Sequence, residues 1–184
     1  MTTKRTLRFL LLAGVMAAAG AAFPASAGSD TVMSYLYRAP MQWTDDAGRN
    51  VALSNWKGRP VIITMGYSSC RRTCATTMLK LQEIQRVLDA KGKQAEFVVV
   101  SYDAEGDDPR AWTQYRQTRN LTRENWHFLT GNKADTRRFA YLLGFDYWQF
   151  ENHIVHEFKI VVLDDKGVVD REIGLLPQNY SQLF

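Results

Sequence analysis

Apolar residues recur along the chain in two distinct patterns. Val61–Met65 is a continuous β-branched and apolar run, and Phe97–Val100 is a second one, so each predicts a strand that is buried on both faces. Between them, apolar residues return at helical spacing from Met78 to Leu88, and Gly92 marks the end of that helix. Two buried strands joined through a helix predict a parallel crossover.

The alternation of helices and strands continues in the second half of the chain. Asp108, with a proline directly after it, predicts the start of a helix that runs to about Arg119. A short strand is predicted at Trp126–Thr130. A further helix is predicted at Ala134–Leu143, where Gly144 closes it.

Hairpin patterns stand at both ends of this alternating region. Phe158–Leu163 and Val168–Ile173 flank the turn sequence Asp164–Gly167, which predicts two antiparallel strands. The polar segment Gly28–Asn55 contains a turn at Asp45–Gly48 and predicts a short hairpin before the main sheet. Together the elements predict an α/β fold with a thioredoxin-like mixed sheet and flanking helices.

The first 27 residues have the pattern of a secretory signal peptide. Three basic residues precede the apolar run Phe9–Phe23, and Ala25–Ala27 has the small-residue spacing of a cleavage site. The apolar run of about 15 residues is shorter than the roughly 20 needed to span a bilayer, which favours cleavage after Ala27 over an uncleaved membrane anchor. We therefore expect one exported domain, residues 28–184, in the periplasm or cell envelope.

The charge of the chain argues against nucleic-acid binding. The formal net charge is +4, but three of the 23 basic residues lie in the predicted signal peptide, and the remainder nearly balances the 19 acidic residues. A nearly neutral domain lacks the basic surface that binds phosphates. With 46% hydrophobic and 23% charged residues, the composition is that of an ordinary globular protein.

Cys70 and Cys74 are the only cysteines, and they stand where the first buried strand leads into its helix. A disulfide closing so short a loop contributes about 2 kcal/mol of loop entropy, against more than about 4 kcal/mol for a long loop, so it is a poor structural crosslink. Two sulfur atoms at roughly 2.3 Å from one metal ion lie up to about 4.6 Å apart, so the spacing suits a soft metal at least as well as a disulfide. A metal site, a redox pair and an inert disulfide all stay open at this point.

The surroundings of the two cysteines favour the thiolate form. Arg71 and Arg72 lie between them, and the helix N-terminus adds positive partial charge, so we expect a lowered pKa for both thiols. Two thiolates alone could hold Cu(I), but a stable four-coordinate site, or one suited to Cu(II), needs further donors. His153 and His156, just before the closing hairpin, are candidate further ligands, whereas His127, between aromatic residues, favours a structural role.

Two further groups of residues are assigned no chemistry. The acidic loop after the second strand lacks the residue order of a calcium loop and predicts a solvated loop and a helix cap. Its residues are Asp103, Glu105, Asp107 and Asp108. The aromatic residues before the histidine pair are assigned to core packing, with shielding of a bound metal from water as the alternative. These residues are Tyr147, Trp148 and Phe150.

Two segments carry a family resemblance. Gly66–Cys70 with Cys74 reads G-Y-S-S-C-x-x-x-C, and Ser101–Pro109 reads S-Y-D-x-x-x-D-x-P. They resemble the G-Y-[TS]-x-C-x-x-x-C and S-V-D-P-x-x-D-x-P segments of the Sco/SenC family, thioredoxin-fold copper proteins of bacterial envelopes and mitochondria. Arg71 stands where the family usually has proline, and Val155 where it usually has aspartate, which suggests a divergent branch.

The resemblance implies that Cys70, Cys74 and His156 bind copper, as Cu(I), Cu(II) or both, with His153 as an additional candidate ligand. It implies a metallochaperone, which is not an enzyme, that passes copper to an acceptor such as a cytochrome c oxidase subunit. The alternative is a thiol-disulfide oxidoreductase whose catalytic redox pair, Cys70 and Cys74, acts on cysteines of a copper-site acceptor or in redox sensing. A thiol reductant would then be the partner.

Overall fold

The structure is a computed structural model that describes residues 36–70, 73–176 and 179–184. The predicted signal peptide lies outside the described residues, as do Arg71 and Arg72. The strands are β1 (Trp43–Asp45), β2 (Asn50–Val51), β3 (Val61–Gly66), β4 (Glu96–Ser101), β5 (Trp126–Gly131), β6 (Tyr147–Phe150), β7 (His153–His156), β8 (Ile160–Leu163) and β9 (Val169–Ile173). The helices are α1 (Thr73–Ala90), α2 (Pro109–Thr118), α3 (Lys133–Leu143) and two 3₁₀ helices, Leu53–Trp56 and Tyr180–Gln182.

Seven strands form one mixed sheet in the order β2-β1-β5-β4-β3-β8-β9. The central strands β3, β4 and β5 are parallel, whereas β8 runs antiparallel to β3 and β1 antiparallel to β5. The predicted α/β class, the parallel strand pair around α1 and the closing β8–β9 hairpin are confirmed. The chain therefore has a thioredoxin-like mixed sheet with flanking helices.

The continuous apolar runs are explained by burial on both faces of the sheet. Every residue of β3 is buried, and one hydrophobic cluster lies on each side. Leu81 and Ile84 of α1 pack in one cluster, and Phe139 and Leu143 of α3 pack in the other. A strand covered by helices on both sides needs no polar alternation, and the sequence of β3 has almost none.

The ends of the helices follow the predicted capping signals. The Asp108 carboxylate accepts the Ala111 N–H at 2.7 Å and caps α2. Gly144 ends α3 as predicted, with a left-handed φ of 65°, whereas Asn132, which caps the start of that helix, was not predicted. Among the described residues, no helix combines the length and the apolar character required to cross a bilayer.

The β6–β7 hairpin was not predicted. Tyr147 pairs with His156 and Phe150 with His153, and within the described residues these two strands form a separate sheet. Aromatic and β-branched residues favour strands, but the turn at Glu151 lacks the glycine that signals a hairpin, although Glu151 has a positive φ of 51°.

The outer face of this hairpin corrects the expectation of core packing. Trp148 is 57% exposed and Phe150 is 59% exposed, whereas Tyr147 is half-buried. Successive residues of a strand point to opposite faces, so only alternate side chains of β6 turn towards the protein. Core packing is therefore wrong for Trp148 and Phe150.

Candidate metal centre

Three side chains from three different elements meet at one edge of the sheet. Cys70 lies in the loop after β3, Cys74 in the first turn of α1, and His156 at the end of β7. His156 Nε2 lies 3.7 Å from Cys70 Sγ and 3.4 Å from Cys74 Sγ. All three atoms lie within 4.8 Å of one another, which is the spacing that one bound metal ion requires.

The loop after β3 folds back so that both sulfur atoms face the same point. The Cys70 N–H donates to the Tyr67 carbonyl at 3.1 Å, and the Cys74 N–H donates to Cys70 Sγ at 3.4 Å. Both cysteines are in the thiol form and both are buried. A backbone N–H at a helix start that points at sulfur stabilises negative charge on that sulfur.

Gly66 leaves room for the second sulfur. A Cβ at this position would lie 3.4 Å from Cys74 Sγ and 3.7 Å from Val99 Cγ1. The distance to sulfur is at the short limit of ordinary van der Waals contact, so a Cβ here would fill the space beside the sulfur at the end of β3. The glycine of the G-Y-S-S-C segment thus has a packing role at the site.

His156 is oriented by its second ring nitrogen. Nδ1 lies 2.9 Å from the Glu157 carbonyl oxygen, which can only accept, so Nδ1 carries the proton and donates. The lone pair of Nε2 is then directed to the two sulfur atoms. The ring also contacts Tyr67 edge-on at 5.9 Å and Tyr102 at 4.7 Å between centroids.

The expectation of a lowered pKa is wrong for the Cys74 thiol. A hydrogen bond with Cys70 and then burial raise the pKa of Cys74 well above its ordinary value. Arg71 and Arg72, which were expected to lower the pKa of both thiols, lie outside the described residues. A protonated Cys74 must release its proton when a metal binds, so metal affinity is expected to rise with pH.

Tyr67 lies between the loop that carries Cys70 and the strand that carries His156. Burial, and then the charge of Cys70, raise the pKa of Tyr67 to about 12. Its hydroxyl therefore stays protonated at neutral pH and donates to the Ile154 carbonyl at 3.2 Å. Tyr102 is more deeply buried, and burial raises the pKa of its hydroxyl as well.

Asp107 corrects the prediction of a solvated acidic loop. It is 4% exposed, and its carboxylate accepts the Ser68 N–H at 3.0 and 3.2 Å and the Ser101 hydroxyl. Burial is the main cause that raises the pKa of this carboxyl group, and the hydrogen bonds oppose the rise. The carboxylate therefore ties the loop after β3 to the end of β4. Asp108 of the same segment is the predicted helix cap.

The other two histidines lie outside the cluster. His153 is exposed at the start of β7, three residues before His156, and therefore on the opposite face of the strand. His127 Nε2 contacts the Glu96 carboxylate at 2.7 Å, and its ring packs on Trp56 at 4.8 Å. The structural role predicted for His127 agrees with these contacts.

Two contributors to the site were missed from the sequence. Tyr67 is part of the G-Y-S-S-C segment, but nothing in the sequence shows that its hydroxyl reaches β7. Asp107 contacts Ser68, which is 39 residues away in the chain. The only sequence signal for either residue was its place in a motif.

The comparisons with known proteins agree with this architecture. The SCO1/SenC family model matches residues 30–180. The SCO1 protein homolog of Bacillus subtilis is 26% identical over 102 residues, which is 55% of this chain and 53% of that protein. The alignment thus spans about half the length of this curated relative.

Solved structures share the fold. ScoI of Arabidopsis thaliana with copper bound matches with a TM-score of 0.66 and 19% identity over 73% of this chain and 86% of that chain. Yeast Sco1 with copper bound matches with a TM-score of 0.66 and 19% identity over 73% and 77%. A SCO1/SenC family lipoprotein of Bacillus anthracis has a TM-score of 0.68 and 20% identity over 72% and 81%.

The structural matches by themselves establish a shared fold, because their sequence identities are low. The family model adds the sequence pattern, and it extends over most of the chain, including both cysteines and His156. On these grounds the chain belongs to the SCO1/SenC family.

Proposed function

We propose that this protein is a metallochaperone that binds copper through Sγ of Cys70, Sγ of Cys74 and Nε2 of His156. The observation that carries the proposal is the convergence of these three atoms within 4.8 Å. Thiolate is a soft ligand that selects Cu(I), and imidazole also suits copper. The copper bound in the Arabidopsis thaliana and yeast structures supports the same choice of metal.

Copper is cargo in this proposal, and the acceptor is a copper enzyme such as a cytochrome c oxidase subunit. One structural neighbour, BsSco, is described as a member of the Sco family of cytochrome c oxidase assembly proteins. His156 also lines an open groove of about 530 Å³ with Thr73, Thr76, Phe158 and Leu175. An acceptor ligand that enters this groove would reach the copper from the histidine side.

The proposed location is the periplasm or cell envelope. Residues 1–27 are proposed to be a cleaved signal peptide that precedes a single domain at 28–184. The Bacillus anthracis neighbour is described as a lipoprotein, which supports the proposal that the present protein is exported too. N-terminal sequencing of the protein recovered from the envelope fraction tests this part, with Gly28 expected as the first residue.

Copper titration tests the proposal. The reduced protein is titrated with Cu(I), and separately with Cu(II), against a competing chelator. Loss of a residue that only hydrogen-bonds to a metal ligand weakens metal binding by roughly 10-fold to 100-fold. Cys70→Ser, Cys74→Ser and His156→Ala should each weaken copper binding by more than that. His153→Ala is the matched control, because it removes an imidazole from the same strand but outside the cluster. Equal binding by the wild type and Cys70→Ser would refute the proposal.

A second candidate function is thiol-disulfide exchange, which the pair of reduced cysteines beside the start of α1 supports. The Cys70 thiolate would attack an acceptor disulfide, forming a mixed disulfide and releasing one acceptor thiolate. Cys74 would then attack Cys70 Sγ, closing the Cys70–Cys74 disulfide and releasing the second thiolate. Two electrons and the two thiol protons pass to the acceptor, and a thiol reductant restores the pair.

Glutathione disulfide serves as the probe for this alternative. On this function, the reduced protein releases two glutathione molecules and forms the Cys70–Cys74 disulfide, whereas Cys74→Ser keeps a mixed disulfide with glutathione. The raised pKa of Cys74 predicts that closure is the slow step at neutral pH. A reaction no faster than that of the urea-unfolded protein would exclude the exchange function.

A further inference from the structure

The metal centre joins two parts of the fold that no strand ladder connects within the part of the chain that the structure describes. The cysteines lie at the end of β3 and the start of α1, on the seven-stranded sheet, whereas His156 lies on the separate β6–β7 sheet. A two-stranded hairpin by itself is at best marginally stable in water. Some contact outside the ladders must therefore hold His156 opposite the sulfur atoms.

We propose that Tyr67 is a positioning residue that holds the His156 strand against the cysteine loop. This inference rests on the proposed copper-binding function. Tyr67 does not supply a ligand atom. It acts through the two elements that carry the ligands, and its contacts reach both of them.

The contacts of Tyr67 run in both directions. On the cysteine side, its backbone carbonyl accepts the Cys70 N–H at 3.1 Å. On the histidine side, its hydroxyl donates to the Ile154 carbonyl at 3.2 Å, and its ring meets the His156 ring edge-on at 5.9 Å. Ile154 lies two residues before His156, so both side chains are on the same face of β7. Ile154 and Tyr147 of the hairpin pack against the same core cluster as Tyr67.

The hydrogen bond to Ile154 restricts the hairpin before copper arrives. Without it, copper binding must itself order β7 relative to the cysteine loop, and that ordering lowers the affinity. Loss of a positioning contact should also appear mainly as faster copper release. The Tyr67 side chain also hydrogen-bonds the Cys70 side chain. Binding by the cysteines alone should therefore depend less on the Tyr67 hydroxyl than binding that includes His156, because only the contact with Cys70 then remains.

Tyr67→Phe tests the inference because it keeps the ring and removes only the hydroxyl. Cu(I) affinity is measured by competition with a chelator, and copper release is followed after addition of excess chelator. We expect affinity about two-fold to ten-fold weaker, the range of one neutral hydrogen bond, with release faster by a similar factor. Tyr37→Phe is the matched control, since it removes a buried hydroxyl that has no hydrogen-bond partner among the described residues. Tyr37 lies beside Gly167, in the turn after the end of β8 that is farther from the metal centre.

A structural role and a positioning role give different results. A merely structural role would lower the urea midpoint of the metal-free protein and leave Cu(I) affinity unchanged, which would overturn the inference. The positioning role also predicts that Tyr67→Phe weakens Cu(I) binding less in the His156→Ala background than in the wild type, because the contact with the His156 strand no longer matters there. An equal loss of affinity in both backgrounds would contradict it. Failure of the wild type to bind copper would instead refute the proposed function.

Discussion

At the scale of single residues, the site depends on buried polar groups that the sequence pattern does not distinguish from solvated ones. Asp107 has two acceptor oxygens, and the donors are the Ser68 N–H in the loop after β3 and the Ser101 hydroxyl at the end of β4. A buried carboxylate is stable only when it is hydrogen-bonded in this way. The aspartate therefore orders the segment that leads to Cys70.

The pH dependence of stability should report on Asp107. Burial raises its pKa in the folded protein above the unfolded value of about 3.9, so the folded state holds this proton more tightly. The resulting stabilisation is complete below that unfolded pKa and is lost as the pH rises through the folded pKa. Asp107→Asn lacks this titration. The stability of the wild type relative to Asp107→Asn should therefore be greater at pH 4 than at pH 7.

Urea unfolding of the metal-free, reduced proteins at pH 4, 5, 6 and 7 measures this difference. The comparison at each pH cancels the titration of groups common to both proteins. A difference in unfolding free energy that does not vary across the series would contradict the assignment of Asp107 as a buried group of raised pKa.

At the scale of elements, the sheet and its helices follow local signals, whereas the β6–β7 hairpin does not. Strand β3 and helix α1 were evident from apolar periodicity and from Gly92. The hairpin has few residues, no glycine turn, and an outer face that exposes Trp148 and Phe150. Its pairing is stabilised by contacts with the rest of the protein, among them the Tyr67 hydroxyl. The sequence pattern of residues 147–156 could not reveal those contacts, because the contacting residues are distant in the chain.

The cap of α2 allows a prediction at this scale. The Asp108 carboxylate satisfies the Ala111 N–H, one of the first backbone donors of the helix. Asp108→Ala should lower the free energy of unfolding by about 1 kcal/mol, as loss of a helix N-cap usually does. Asp108→Ser keeps a capping oxygen and should restore most of the loss. Urea unfolding measures both variants.

The same variants separate the cap from the metal centre. Asp108 is adjacent in sequence to Asp107 but makes its side-chain bond within α2. Cu(I) affinity should therefore be the same in Asp108→Ala as in the wild type. A weakening of copper binding comparable to that caused by the ligand variants would show that α2 is coupled to the site.

At the scale of the whole molecule, the metal centre exists only when three elements are assembled. The loop after β3, the first turn of α1 and the end of β7 each supply one atom of the proposed site, and Cys70 and His156 are 86 residues apart in the chain. Unfolding separates them, so copper that binds the folded state stabilises the entire domain.

Copper should therefore raise the thermal unfolding temperature of the reduced protein. Free Cu(I) at about 1,000 times its dissociation constant corresponds to about 4 kcal/mol of stabilisation, reduced by any binding of copper to the unfolded cysteines. The shift should be much smaller in His156→Ala and unchanged in His153→Ala. An equal shift in His156→Ala and the wild type would show that the histidine does not take part. Calorimetry with and without Cu(I) makes the comparison.

Much of the molecule was determined by local properties of the sequence. Continuous apolar runs specify strands that are covered on both faces, helical spacing specifies α1, and Asp108 and Gly144 place helix ends, because each signal acts over a few residues. The C-x-x-x-C spacing limits the chemistry to a short list for the same reason. The selection of His156 over His153 as a candidate ligand came from a family resemblance, since residue type alone made the two equivalent.

Only the tertiary structure decided which side chains meet. It turned His156 towards the sulfur atoms and His153 to the opposite face of β7, and it buried Asp107 and Cys74 where local charge patterns had indicated solvent and a lowered pKa. It also joined Tyr67 to Ile154 across 87 positions of the chain. Desolvation and long-range hydrogen bonds depend on what packs against a group, and the residues that pack there are distant in sequence.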